Sequence, residues 1–152
     1  KLDVIMRVDA PATFSIGGLV LRDTQGLNLS DLGSSDRIKS ATLFLEVENS
    51  FPVDFGLDVE LLDKQYYRLG NLDITPQNGI ASGVVDDNGY PIQPTKSLLI
   101  VKMPREKAEL LKKSGFVSIS MKIKGNGKMQ RLFNASKVNV KSRIQFEYEV
   151  RN

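Results

Sequence analysis

Two alternating runs joined by a short corner, Ala41 to Asp63 (ATLFLEVENSFPVDFGLDVELLD), limit the fold more than any other stretch of this chain. In the first run Ala41, Leu43, Leu45 and Val47 share one side, with Thr42, Phe44, Glu46 and Glu48 on the other. In the second, Phe55, Leu57, Val59 and Leu61 alternate with Gly56, Asp58 and Glu60. Side chains alternate across a strand, so a period of two predicts strands with one buried and one wet face. The joining segment, Asn49-Ser50-Phe51-Pro52-Val53-Asp54, lacks the Asn-Gly pair of a tight hairpin. The two strands therefore either pair directly or cross between two sheets.

Strand signals recur along the chain. Leu2 to Val8 reads as a first strand, ended by Pro11, which cannot donate to a ladder. Thr13 to Asp23 reads as a strand kinked at Gly17-Gly18, and Thr24 to Asp36 as a polar loop. Lys64 to Leu69 is a continuation or a short edge strand, and Ile80 to Val85 another short strand. Asp86-Asp87-Asn88-Gly89 is a turn, because Asn-Gly tolerates the positive φ of a hairpin. Lys96 to Met103 is mostly apolar and is expected to be buried on both faces at its centre. Phe116 to Lys124 alternates, with Val117, Ile119, Met121 and Ile123 inward. Gly125-Asn126-Gly127 then turns the chain into a strand over Met129 to Phe133. Val138 to Val150 closes the chain as a long strand with a bend near Lys141-Ser142.

One segment has helical signals. Pro104 suits the first helical position, where its missing N–H costs nothing. Ala108 and Leu111 share a face with the Lys107 stem, Lys112 and Lys113 suit the negative end of the dipole, and Gly115 is placed to stop the helix. About three turns are too few to stand alone, so this helix over 104–114 must pack across the end of a sheet. The fold class is all-β: an antiparallel immunoglobulin-like β-sandwich of about nine strands with one short helix. A closed β-barrel is the alternative, since period-two patterning does not separate the two. A length of 152 residues suits a single sandwich domain over residues 1–152.

What the chain lacks excludes more chemistry than its motifs suggest. It has no His and no Cys, so Ser-His-Asp and Cys-His arrangements, ordinary zinc sites and disulfides cannot be built. No residue set amounts to a catalytic or cofactor signature, and the expectation is no enzyme, no cofactor and no metal. The Asp86-to-Gly89 turn resembles a calcium loop superficially, but position 97 is Ser and no closing acid lies nearby.

Charge divides along the chain. Residues 1–100 hold 8 Lys/Arg against 14 Asp/Glu, a balance of −6, whereas 101–152 hold 13 against 4, a balance of +9. The bases Lys122, Lys124, Lys128, Arg131, Lys137, Lys141 and Arg143 gather on one region only if the last strands are neighbours. A sheet that reads nucleic acid needs aromatics among such bases. The outward positions of Phe116 to Lys124 are Ser118, Ser120, Lys122 and Lys124, so nucleic acid is not an expected partner. Tyr66, Tyr67 and Tyr90 are the candidate ligand-binding residues, as an aromatic patch for sugar rings or a partner surface. Adjacent tyrosines on a strand face opposite sides, which places at least one toward the core. Phe44 stands out on the polar side between Thr42 and Glu46, or lies under the helix or a loop. No stretch approaches the roughly 18–20 consecutive apolar residues of a membrane span. The chain opens on Lys1 rather than Met, as a processed product or a trimmed chain would.

The order "ATLFLEVENSFPVDFGLDVELLD", "PTKSLLIVKMPREKAELLKKSGFVSISMKIKG" and "SRIQFEYEV" over Lys39 to Val150 resembles β-sandwich domains of uncharacterised bacterial cell-envelope lipoproteins. The shared features are an N-x-FP corner, a T-K strand start and an R-E-x-x-x-L helix. The corner Asn49-Ser50-Phe51-Pro52 also resembles the N-P-F corner of late-embryogenesis-abundant water-stress sandwiches, although Ser50 precedes Phe51 here. The first resemblance implies a cell-envelope or cell-surface location, with a lipid anchor on a precursor cysteine outside this chain. The expected function is a non-enzymatic binding or assembly module for a protein or glycan partner. A carbohydrate-binding accessory domain and a fimbrial-type subunit are the alternatives.

Overall fold

The computed structural model describes residues 2–6, 13–15, 18–27, 29, 38–72, 74, 79–88, 90–124 and 136–149. In chain order the elements are β1 (Leu2–Met6), β2 (Thr13–Ser15), β3 (Gly18–Gly26), β4 (Ile38–Asn49), β5 (Phe55–Leu62) and β6 (Arg68–Leu72). Then follow β7 (Val84–Val85), β8 (Pro91–Gln93), β9 (Thr95–Pro104), α1 (Arg105–Lys113), β10 (Phe116–Ile123) and β11 (Val138–Tyr148). The alternating runs at 41–63 do not pair with each other. β4 lies in a four-stranded sheet of order β1-β11-β4-β9, and β5 in a five-stranded sheet of order β2-β3-β10-β5-β6. Every pairing is antiparallel, and a two-stranded ribbon β7-β8 stands apart. The fold is an all-β sandwich of two open sheets, with no closed barrel.

One core fills the space between the sheets. Ala41, Leu43, Leu45 and Val47 of β4 meet Phe55, Leu57, Val59 and Leu61 of β5, all buried as the alternation predicts. Each fully buried aliphatic or Phe contributes about 1.5–3 kcal/mol of transfer free energy. Val117, Ile119 and Met121 of β10, Val138, Val140 and Ile144 of β11, and Leu99, Val101 and Met103 of β9 join the same core. The expected bend near Lys141-Ser142 is absent: β11 runs in unbroken register with β4 from Val138 to Glu147 and shifts only at Tyr148. Ser142 faces inward between Val140 and Ile144, so a small polar residue interrupts the apolar series without turning the strand.

The corner is held by one buried side chain. Asn49 is fully buried, and its Nδ2 donates to the carbonyls of Val53 and Ala81, each at 2.9 Å. Its Oδ1 accepts from the Phe51 N–H at 2.9 Å. Ser50 ties the same corner to the start of β11: its N–H and Oγ donate to Lys137 O, and its Oγ accepts from Lys137 N–H. The chain from Gly79 to Gly83 lies against this corner, with Ile80 bridged to Phe55 and Gly83 N–H donating to Phe51 O at 2.7 Å. A Cβ at Gly83 would lie 2.7 Å from Asn49 O and 2.8 Å from Ser50 Cα, so only glycine fits. The short strand expected over Ile80 to Val85 is thus a bridge followed by the two residues of β7.

α1 crosses one end of the sandwich between β9 and β10, with Ala108 and Leu111 buried as their spacing requires. Lys107 Nζ reaches Asn71 O at 2.8 Å. Pro104 sits one residue earlier than expected, at the N-cap with extended backbone. Gly115 does not end the helix through a left-handed turn; Ser114 is the C-cap, and a Cβ at Gly115 would lie 3.0 Å from Lys64. The close approach of the β5–β6 turn, not a left-handed backbone, is what leaves little room for a side chain there. The strand expected over Met129 to Phe133, its Gly125-Asn126-Gly127 turn and the kink at Gly17-Gly18 lie outside the described residues.

Candidate interaction face

Sheet order decides which outward side chains become neighbours. β4 sits between β11 and β9, so its outward residues stand in cross-strand rows with theirs. One row is Asn139–Glu48–Lys96, the next Lys141–Glu46–Leu98, then Arg143–Phe44–Ile100 and Gln145–Thr42–Lys102. Leu98 is 58% exposed and Ile100 54%, although β9 was expected to be buried on both faces. The physical reason is position: β9 is the last strand of its sheet, and only Leu99, Val101 and Met103 turn toward the core. The even-numbered residues Lys96, Leu98, Ile100 and Lys102 all face out.

Phe44 joins this apolar pair. The Arg143 guanidinium covers it, 4.4 Å from the ring centroid. A cation over a ring face is worth about 0.5–1 kcal/mol at exposed sites. Beside it, Glu46, Glu48, Lys96, Leu98, Asn139 and Lys141 border a depression of about 280 Å³. The Lys96 ammonium lies 3.2 Å from the Glu48 carboxylate. Hydrogen bonding and charge from Lys96, aided by Lys141 and Asn139, hold Glu48 below its ordinary carboxylate value. The rim of this face is therefore ordered and ionic, and its centre is apolar.

The three candidate tyrosines are exposed but are not gathered. Tyr66 and Tyr67 lie in the β5–β6 turn, where Asp63 Oδ1 accepts from the N–H groups of Gln65 and Tyr67. Tyr90 lies beyond the other end of β5, in the β7–β8 hairpin. β5 separates the two places by roughly 25 Å of strand. Because Tyr66 and Tyr67 are in a turn, the alternation that would send one of them to the core does not apply. Tyr66 has φ of 65° and stacks on Phe116, with ring centroids 4.2 Å apart and planes 17° apart.

The remaining candidates resolve into structure. Asp86 Oδ1 accepts from the N–H groups of Asn88 and Tyr90, at 2.9 and 2.8 Å, which occupies it in shaping the hairpin. Lys122 and Lys124 belong to the β10 side of one sheet, while Lys137, Lys141 and Arg143 belong to β11 of the other. The late bases are thus split between two sheets; Lys128 and Arg131 lie outside the described residues. Ser118 and Ser120, expected to be outward and wet, are buried on the outer face of β10. β10 is central in its sheet, and longer side chains from both neighbours cover them; Arg22 Nε donates to Ser120 Oγ at 2.9 Å. Lys122 pairs with Asp58 at 2.9 Å across the same face. Among the described residues no three Asp or Glu side chains gather closely enough to hold a metal ion.

Leu98 and Ile100 are the functional candidates that sequence reasoning passed over. Their signal was the lysine on either side at the same parity, Lys96 and Lys102, since lysines mark exposed edges.

No family model matches the sequence, and no curated protein matches it. Among solved structures, the chain is similar to a protein presumed to be secreted from Parabacteroides distasonis ATCC 8503. The TM-score is 0.52 at 14% identity, over 85% of this chain and 39% of that one. It is also similar to a chain in the structure of infectious bursal disease virus Gx strain, with a TM-score of 0.53 at 10% identity, over 94% of this chain and 32% of that one. The likeness is one of fold, and this chain spans well under half the length of either.

Proposed function

We propose that this chain is a non-enzymatic binding or assembly module of a bacterial cell-envelope or secreted protein. The observation that carries the reading is the outer face of the β1-β11-β4-β9 sheet, where Leu98 and Ile100 lie open beside the Arg143-capped Phe44. Contiguous apolar side chains rimmed by charge mark interaction surfaces. The location is supported by the resemblance to envelope lipoprotein sandwiches and by the fold shared with the Parabacteroides protein. Among the described residues, no helix is long and apolar enough to cross a membrane. A lipid anchor on the precursor is the finer form of the proposal, tested by palmitate labelling of the full precursor.

The binding role is tested by a photo-crosslinking residue at Leu98 in the cells that make the protein. The expected result is a discrete adduct that is lost when Ile100→Glu is added. Crosslinking at Leu98 no stronger than at the exposed control position Lys39 would refute the reading. A carbohydrate-binding module is the second reading, and it rests on another surface. Tyr66 stacks on Phe116 and is 61% exposed as a residue, and Tyr67 beside it is 72% exposed. Glycan-array binding lost in both Tyr66→Ala and Tyr67→Ala would favour it, and silence across a broad array would end it. The fimbrial alternative needs an exchangeable terminal strand, and against it β11 is paired on both sides, with β1 and with β4.

A further inference from the structure

We infer that β9 is a docking edge for an extended, acidic and apolar segment of another protein, which adds to the sheet as a fifth strand. The inference rests on the binding-module reading and specifies its occupant. β9 is ten residues long and pairs with β4 on one side; no described strand pairs with its other side. In an antiparallel ladder alternate residues turn their N–H and C=O groups away from a given neighbour, so such an edge offers a row of donors and acceptors. Added strands take affinity from these main-chain bonds and specificity from alternate side chains.

The side chains on this edge select the partner. Outward along β9 run Lys96, Leu98, Ile100 and Lys102: cation, apolar, apolar, cation. A complementary strand on the open side carries acid, apolar, apolar, acid at every second position, opposite charges being favourable and like charges unfavourable across a ladder. The pattern reads the same in either strand direction. Lys102 stands across from Thr42 on β4, which supplies no carboxylate, so an incoming acid meets an ammonium without an acidic neighbour in that row. The same arithmetic disfavours a second copy of this chain. The antiparallel register centred on Leu99 joins Leu98 to Ile100 of the other copy, but it also sets Lys96 opposite Lys102. A register centred one residue to either side lays a lysine against Ile100 or Leu98.

The test uses the folded chain with ¹⁵N labelling and the blocked peptide Glu-Thr-Val-Thr-Val-Thr-Glu, beside a control with lysine at both ends. The expected result is that the acidic peptide shifts β9 amides and slows exchange at alternate β9 positions, while the lysine peptide is about threefold or more weaker. Lys102→Glu, at an exposed site that the fold does not need, is expected to abolish that preference, because an edge with one basic and one acidic end suits neither peptide better. Shifts centred elsewhere, or equal binding of the two peptides by the wild-type chain, overturn the inference. So does a peptide-free dimer in sedimentation with β9 already protected, which would make a second copy the occupant. Binding to anionic vesicles that Ile100→Glu abolishes, with no peptide effect, likewise replaces the strand with a lipid surface. If Leu98 crosslinks in cells but the peptide is inert, the strand inference falls and the binding-module reading stands.

Discussion

Asn49→Ala should be the most damaging single polar substitution in the described chain. The wild-type amide makes three hydrogen bonds: two from Nδ2, to Val53 O and Ala81 O, and one to Oδ1 from the Phe51 N–H. Alanine leaves all three backbone groups without that partner. The Val53 and Phe51 groups are buried, and the Ala81 carbonyl is partly so. An orphaned buried donor or acceptor costs about 1–3 kcal/mol, which gives about 2–6 kcal/mol for the two buried groups alone. That is a large share of the 5–15 kcal/mol by which domains are typically stable. For a chain of this size the melting temperature should fall by roughly 5–20 °C. Asn49→Asp separates the parts: it keeps the acceptor for Phe51 N–H, loses both donors, and points a carboxylate at two carbonyls. It should be at least as destabilised as Asn49→Ala at pH 7. Urea unfolding followed by circular dichroism measures both, with an unchanged slope expected if the corner alone is affected. A loss below about 1 kcal/mol for Ala, or an Asp variant close to wild type, would refute the view that this amide holds the corner.

Three further outcomes follow from single sites. Gly83→Ala should cost about 1–3 kcal/mol or more in urea unfolding, because its Cβ would meet the Asn49 and Ser50 backbone, which cannot rotate away; a neutral result would mean the corner is looser than described. Tyr66→Gly should keep about 1 kcal/mol more stability than Tyr66→Ala, since both lose the Phe116 stack but only glycine suits φ of 65°. Thermal melts ranking alanine equal or better would contradict this. The Glu48 carboxylate has a folded pKa below its unfolded one, so its contribution is full above the unfolded value and is lost as pH falls through the folded value. Glu48→Gln should remove that component of acid destabilisation, and wild-type and variant curves that run parallel from neutral to strongly acid pH would count against it.

The parts legible in the sequence were those that local periodicity encodes. The alternation of Ala41 to Val47 and Phe55 to Leu61 named the buried face of both strands, because a pleated strand sends every second side chain the same way. The spacing of Ala108 and Leu111 named the buried face of α1 for the corresponding helical reason. The absence of His and Cys fixed which chemistries are closed, without reference to any fold.

Where a strand sits in its sheet is at most hinted at by its own residues, as by Lys96 and Lys102 of β9, and several expectations turned on it. KSLLIVKM read as doubly buried, yet β9 is an edge and Leu98 and Ile100 face outward. FVSISMKIK read as having a wet serine face, yet β10 is central and Ser118 and Ser120 are covered. Tyr66, Tyr67 and Tyr90 looked like one set, but the β5–β6 turn and the β7–β8 hairpin that carry them lie beyond opposite ends of β5. The sequence by itself determined an antiparallel all-β class, the inward residues of β4 and β5 and the buried face of α1, since these follow from side-chain spacing within one element, but it left sandwich and closed barrel open. Only the tertiary structure decided strand order, and with it the Leu98–Ile100–Phe44 face, because neighbours across a sheet are set by contacts between residues far apart in the chain.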